Sequence, residues 1–342
     1  MRLIKTVDAI GKTLCHDITQ IVKDDFKGVK FKKGHVIKDE DVDVLHSLGK
    51  FNIYVWEADD VKYVHENDAS EILANMCVSE NLRKGEVKEG KTDLFAEIDG
   101  LYKINSSIIK ELNSIDEIII STRHNNFPIK KDEKVLGTRI IPLVVTSEVM
   151  DKANSVYKGE PLCTLKPFTV RTCGVITTGR EVFEGIIEDT FTPVIKAKLL
   201  EYGVEIIYHK TVTDDIAEIQ KAIKEAKTKG VDMILCTGGM SVDPDDVTPT
   251  AIKESGANLV VYGTPVLPGA MLLLAYFDDD TPVLGLPGCV MYSKRTVFDL
   301  VLPRVLARDI ITKSDIDNLG IGGLCFDCPQ CHFPNCSFGK GE

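Results

Sequence analysis

The chain has 342 residues, of which 44% are hydrophobic and 27% charged, an ordinary composition for a folded globular protein. Its net charge of -11 opposes binding to nucleic acid or to an anionic membrane surface, since both require clustered cations. No stretch reaches the roughly 18 uninterrupted apolar residues of a spanning helix, and Met1-Arg2-Leu3-Ile4-Lys5 meets charge too early for a secretory signal, so a cytoplasmic protein is expected.

The length predicts two or three domains. In an N-terminal region over 1–75, Lys32-Lys33-Gly34-His35-Val36-Ile37 leads into a helical pattern over 39–48 that Gly49 stops, and 52–56 alternates as a strand. A middle α+β region spans 76–165. Charged helical patterns over 66–110 break at Gly85, Gly90 and Gly100. Residues 115–121 and 139–146 are β-rich around a polar loop over 123–134, and Lys158-Gly159-Glu160-Pro161 links onward.

From 168 to 311 the pattern becomes regular strand–helix alternation. Strands are expected over 170–176, 204–208, 231–236, 258–262, 271–276 and 282–286. Helices are expected from a Thr192 cap, with Pro193 in the first helical position, to Gly203; from an Asp214 cap through Lys229; over 249–254; and over 290–306. This order predicts the α/β class, as a three-layer sandwich with a mostly parallel sheet.

Three strands run into glycine turns: Thr177-Thr178-Gly179, Thr237-Gly238-Gly239 and Leu286-Pro287-Gly288. In a parallel sheet such turns share one edge, where backbone N–H groups and helix N-termini meet a ligand. Their convergence would make a phosphate site from Thr177, Thr178, Gly179, Arg180, Thr237, Gly238, Gly239, Ser241, Pro287 and Gly288. Glycine permits positive φ and close backbone approach, and Arg180 offers a two-pronged cation. Asp243, Asp245 and Asp246 follow the second turn and repel one another unless solvated or bound to a cation. Mg²⁺ is commonly held by one or two carboxylates plus phosphate oxygens. Asp246, with Asp243 or Asp245, is therefore the expected Mg²⁺ ligand set; Asp246, Asp243 and Glu181 are the candidate catalytic residues. The plainer alternative is tight turns, a solvated acidic loop and an exposed Arg180–Glu181 pair. Cys289 has no histidine near it in sequence and is expected to pack rather than attack.

Taken together, Thr178-Gly179-Arg180-Glu181-Val182, Thr237-Gly238-Gly239-Met240-Ser241 with its trailing aspartates, Leu267-Pro268-Gly269 and Leu284-Gly285-Leu286-Pro287-Gly288 resemble the molybdopterin-binding domain of the molybdopterin molybdenumtransferase family, which includes the gephyrin E-domain. The likeness covers 168–309, and more weakly Ala9-Ile10-Gly11 through Gly49 as that family's accessory region. It implies a molybdopterin-type pterin phosphate or its adenylylated form, bound with Mg²⁺ and molybdate, and a homodimer. In three places the chain departs from the family pattern: Arg180 replaces an acidic residue, Cys289 replaces an Asn, and Ala270 replaces a Lys. The Asp245-Asp246-Val247-Thr248 run looks more like the competence-damage-protein branch of the same superfamily. The resemblance thus implies molybdate insertion into molybdopterin; the alternatives are a non-catalytic carrier serving a molybdoenzyme, or a nucleotide-pyrophosphate hydrolase.

A tail over 320–342 lies outside that pattern. Its Cys325, Cys328, Cys331 and Cys336 have spacing suited to Zn²⁺ or an iron–sulfur cluster, with His332 as a substitute ligand. Gly320, Gly322 and Gly323 suggest a mobile appendage, and a tail of reduced cysteines is the alternative.

Overall fold

The computed structural model describes residues 2–22, 26–56 and 62–341; Met1 and Glu342, which end the first and last sequence segments, lie outside the described residues. Contacts gather the chain into two units. One comprises Met1–Phe95, Asn105–Thr122 and Lys134–Cys163, and the other Ala96–Ile104, Arg123–Glu133 and Thr164–Glu342. The middle segment read from the sequence is thus shared, since 96–104 and 123–133 pack with the C-terminal unit. No helix among the described residues is long and apolar enough to cross a membrane.

The N-terminal unit builds one small core from Ala9, Leu14, Ile18, Ile37, Leu45, Ile53 and Val55, where helix Asp39–Ser47 meets the antiparallel pair Arg2–Lys5 and Asn52–Val55. The helical patterns expected over 66–110 are only partly helical. Glu66–Cys77 and Ser106–Asn113 are helices, whereas Leu82–Lys84, Lys91–Ala96 and Gly100–Ile104 are strands. The reason is visible in Lys91–Ala96, where Thr92, Leu94 and Ala96 are buried on alternate positions. That is the period of a strand.

The C-terminal unit is the three-layer α/β sandwich. Six strands, β1 (Thr172–Thr178), β2 (Glu205–Val212), β3 (Met233–Thr237), β4 (Asn258–Tyr262), β5 (Leu273–Tyr276) and β6 (Pro282–Leu286), form one sheet in the order β2-β1-β3-β6-β5-β4. The pairs β1/β2, β1/β3 and β3/β6 are parallel; β5 is antiparallel to both neighbours. Central strands are buried on both faces, which explains their unbroken apolar runs. Met233 and Leu235 point into one core with α1 (Phe191–Leu200) and α4 (Val297–Leu306). Ile234 and Cys236 point into the other, against α2 (Ile216–Thr228) and α3 (Thr248–Glu254). Each such aliphatic side chain contributes about 1.5–3 kcal/mol by leaving water.

Helix starts differ from the sequence reading because other carboxylates supply the caps. The Asp189 carboxylate accepts the N–H groups of Phe191 and Thr192, so α1 begins before Thr192. Asp215, not Asp214, caps α2 by accepting the Glu218 N–H. The helix expected over 290–306 is two pieces, a 3₁₀ turn Gly288–Met291 and α4, because Thr296 and Asp299 form a buried capping box that restarts the helix.

One buried ionic cluster locks the unit. Asp309 is 7% exposed and accepts from Lys103 Nζ at 2.8 Å, Lys166 Nζ at 2.7 Å and Arg304 Nε at 2.7 Å. Burial pushes its carboxyl upward, but these three cations outweigh it and hold the group well below the usual carboxylate range. The tail is docked, contrary to the mobile appendage expected from its glycines. Phe338 is buried in the core beside α4, and Cys325, Phe333 and Cys336 pack against it. Gly323 serves close contact instead of mobility, since a Cβ there would meet Leu319 O at 2.5 Å and Pro265 O at 2.8 Å.

Candidate functional site: an acidic cleft at the strand ends

Thr177 of β1 pairs in register with Thr237 of β3, and Thr237 with Leu286 of β6. Three strand ends therefore finish level at one rim. The first two turns interlock there. Thr178 Oγ1 donates to Thr237 O at 3.1 Å and lies 3.1 Å from Thr248 Oγ1. Gly238 has φ of +83°, and a Cβ on it would collide with the Thr178 carbonyl. Only glycine allows this approach.

The acidic loop after the second turn folds back on itself. Thr248 donates its N–H to Gly239 O at 3.2 Å, and Asp246 donates its N–H to Asp243 O at 3.0 Å. This returns the Asp246 carboxylate to Gly239, where an added Cβ would lie 3.7 Å from Asp246 Oδ1. Tyr262 braces the loop by donating to Met240 O and Ser241 O. Burial and then the nearby Asp246 raise the Tyr262 phenol above its ordinary value.

Between these turns lies a cleft of about 610 Å³. Of the residues singled out by sequence, Thr177, Thr178, Gly179, Glu181, Thr237, Gly238, Gly239, Asp243, Asp245 and Asp246 line it. Arg180, Ser241, Pro287 and Gly288 do not, and from the third turn Met291 reaches the cleft instead. Arg180 even spends its backbone N–H on Asp214 Oδ2, at 2.9 Å.

Sequence reasoning missed Asp189, which lines the cleft and organises it. Its Oδ2 accepts from Thr177 Oγ1 at 3.1 Å and from Thr192 Oγ1 at 2.5 Å, and His209 Nε2 lies 3.5 Å away. Burial pushes this carboxyl up, yet the hydrogen bonds from Thr192, Phe191 and Thr177 prevail and lower it. The available signal was an Asp three residues before Thr192, a position from which a carboxylate can cap the helix start.

Charge is the cleft's defining property. Seven carboxylates line it (Glu181, Glu188, Asp189, Asp214, Asp243, Asp245 and Asp246), and no Lys, Arg or His does so among the described residues. The side chains of Asp243, Asp245 and Asp246 make no hydrogen bond or ion pair among the described residues. Nor, among the described residues, is any group of three His, Cys, Asp or Glu placed to hold a metal by itself. The donor set accordingly suits a cation shared with a ligand's phosphate oxygens, the usual Mg²⁺ arrangement. Thr237 Oγ1 is buried at the floor without a hydrogen-bond partner among the described residues. Such an atom costs about 1–3 kcal/mol until something bonds it.

Comparison with known proteins agrees in part with this architecture. Residues 174–307 match the family described as "Probable molybdopterin binding domain", and residues 3–57 match a domain of unknown function. A CinA-like protein of Fusobacterium nucleatum is 39% identical over 81 residues, which are 24% of this chain and 20% of that protein. A Bacillus cereus protein named as competence-damage inducible is 33% identical over 93 residues, 27% of this chain and 22% of its own. The chain thus spans about a fifth of the length of these relatives. The crystal structure of the molybdopterin biosynthesis enzyme MoaB from Thermus thermophilus is similar over 42% of this chain and 98% of its own, at 22% identity and a TM-score of 0.33. Over residues 174–307 the chain is thus similar to the family described as probable molybdopterin-binding domains.

Proposed function

We propose that the cleft binds a molybdopterin-type pterin phosphate, or its adenylylated form, together with Mg²⁺ and inserts molybdate into it. One observation carries this reading: a cleft framed by backbone turns and seven carboxylates, with no Lys, Arg or His on its wall among the described residues. An anion is held there only if a divalent ion offsets the carboxylates, and Asp246 with Asp243 or Asp245 are the residues to hold that ion. When bound, Mg²⁺ neutralises phosphate charge and polarises the bond being broken. The N–H groups of Gly238 and Gly239 and the Thr237 hydroxyl hold and orient the ligand. Asp189 fixes the Thr177 hydroxyl toward the same space, and Glu181 flanks the reacting centre. The homodimer and a recipient molybdoenzyme belong to the same proposal.

Arg180, with its N–H taken by Asp214 and its side chain outside the cleft, favours a second reading, cleavage of a nucleotide pyrophosphate without insertion. A single assay separates the two. Adenylylated molybdopterin is incubated with the protein, Mg²⁺ and molybdate, and AMP release is followed. Release that requires molybdate supports insertion, and release without it supports hydrolysis. Tight binding with no release leaves a carrier, and no binding at all overturns the proposal.

A further inference from the structure

The second cavity of the C-terminal unit owes nothing to strand ends. It measures about 390 Å³, and Cys325, Cys328, Cys331 and Cys336 all lie on its wall. None of the four is in a disulfide. No residue lining it also lines the acidic cleft.

Four thiols around one space are a soft donor set, and their spacing in sequence discriminates between occupants. A single zinc binds four sulfurs tetrahedrally at about 2.3 Å, which crowds them around one point. A cluster of four irons takes one thiolate at each iron, over a larger volume, and the Cys-x2-Cys-x2-Cys spacing of the first three cysteines suits it.

Phe326, Phe333 and Leu267 give the wall an apolar lining; Lys294 and Asp327 also lie on it, and Arg295 there is already paired with Glu201 and Asp299. Lys294 Nζ donates to Cys328 O at 2.8 Å and Pro329 O at 2.9 Å, fixing the loop between the second and third cysteines. The loop is also anchored at both ends. Cys325 donates its N–H to Leu267 O at 2.8 Å, and Phe338 is 3% exposed in the core. A loop held in this way presents its thiols to a preformed space.

The geometry points to a binding site for a four-iron–four-sulfur cluster at Cys325, Cys328, Cys331 and Cys336. The full chain, purified without oxygen and reconstituted with ferrous iron and sulfide, tests it. Expected are about four irons and four acid-labile sulfides per chain, with a broad visible absorption that dithionite bleaches. Cys328→Ser should lose most of both, while Cys289→Ser, outside the cavity, keeps them. Cys328 is exposed, so an unchanged melting temperature would show that the loss is not unfolding. One zinc per chain without sulfide, two irons with two sulfides, no bound metal, or a Cys328→Ser protein with full iron and sulfide would each overturn the assignment.

Discussion

Around Asp309, three cations enclose one carboxylate; around the strand-end cleft, seven carboxylates share a wall with no Lys or Arg among the described residues. Both arrangements sit in the same unit of the chain. The first neutralises its charge internally, as a buried ionised group must. The second leaves charge uncompensated at the rim where the strands end. A protein that spreads like charges over a concave surface accepts repulsion there, and a ligand or ion from solution can relieve it. Charge balance therefore separates the group that holds this fold together from the groups available for chemistry.

The largest effect is expected at the neutralised site. Asp309→Asn should cost about 3 kcal/mol in denaturant unfolding, because buried Arg304 and the partly exposed Lys103 and Lys166 lose their shared partner. A loss under about 1 kcal/mol would rank the cluster with exposed pairs. Since the folded carboxyl lies below its unfolded value of about 3.9, the cluster's contribution is complete above about pH 4 and disappears as pH falls further. The gap between wild type and variant in unfolding curves should therefore narrow from pH 7 to pH 3 without closing, because the folded carboxyl stays ionised well below pH 4. At the uncompensated site the pattern inverts. Asp246→Asn should cut molybdate-dependent AMP release at least about 100-fold with no loss of melting temperature; unchanged turnover would remove its assigned role. Thr237→Val should weaken ligand binding by about tenfold, or 1.4 kcal/mol, while leaving stability equal or higher, because the orphaned hydroxyl is gone. Isothermal titration beside thermal melting reads both. The smallest change belongs to Asp243→Asn, which should raise the melting temperature by about 1–2 °C at low salt and lose that gain near 1 M salt, where exposed charges are screened.

Much of the sheet was legible because burial on both faces leaves unbroken apolar runs. The expectations for 258–262 and 282–286 coincide with β4 and β5's partner β6. The 82–104 strands were less so, since their short alternations sit among lysines and glycines that mimic charged helix surface. Helix starts shifted because neighbouring aspartates compete for cap positions, and only the fold decides that Asp214 serves Arg180 while Asp215 serves the helix. Within the cleft, Thr177, Thr237 and their glycines were visible as strand-end turns. Asp189 was not, because it reaches Thr177 from twelve residues away through the packing of α1. Pro287 and Gly288 failed to reach the cleft because the 3₁₀ turn that follows them presents Met291 instead. The tail was misjudged for a related reason: glycine signals freedom in sequence, yet Gly323 is needed for tight contact.

The Lys103–Asp309 contact joins positions 206 residues apart, with strand Gly100–Ile104 hydrogen-bonded in the order given by its neighbours at Phe127–Ile129 and Cys163–Pro167. During synthesis, Lys103 therefore emerges from the ribosome roughly 10–40 s before its carboxylate partner exists. The strand that carries it can find early neighbours in that interval, but its ammonium lacks this partner until the residues just after α4 have been made.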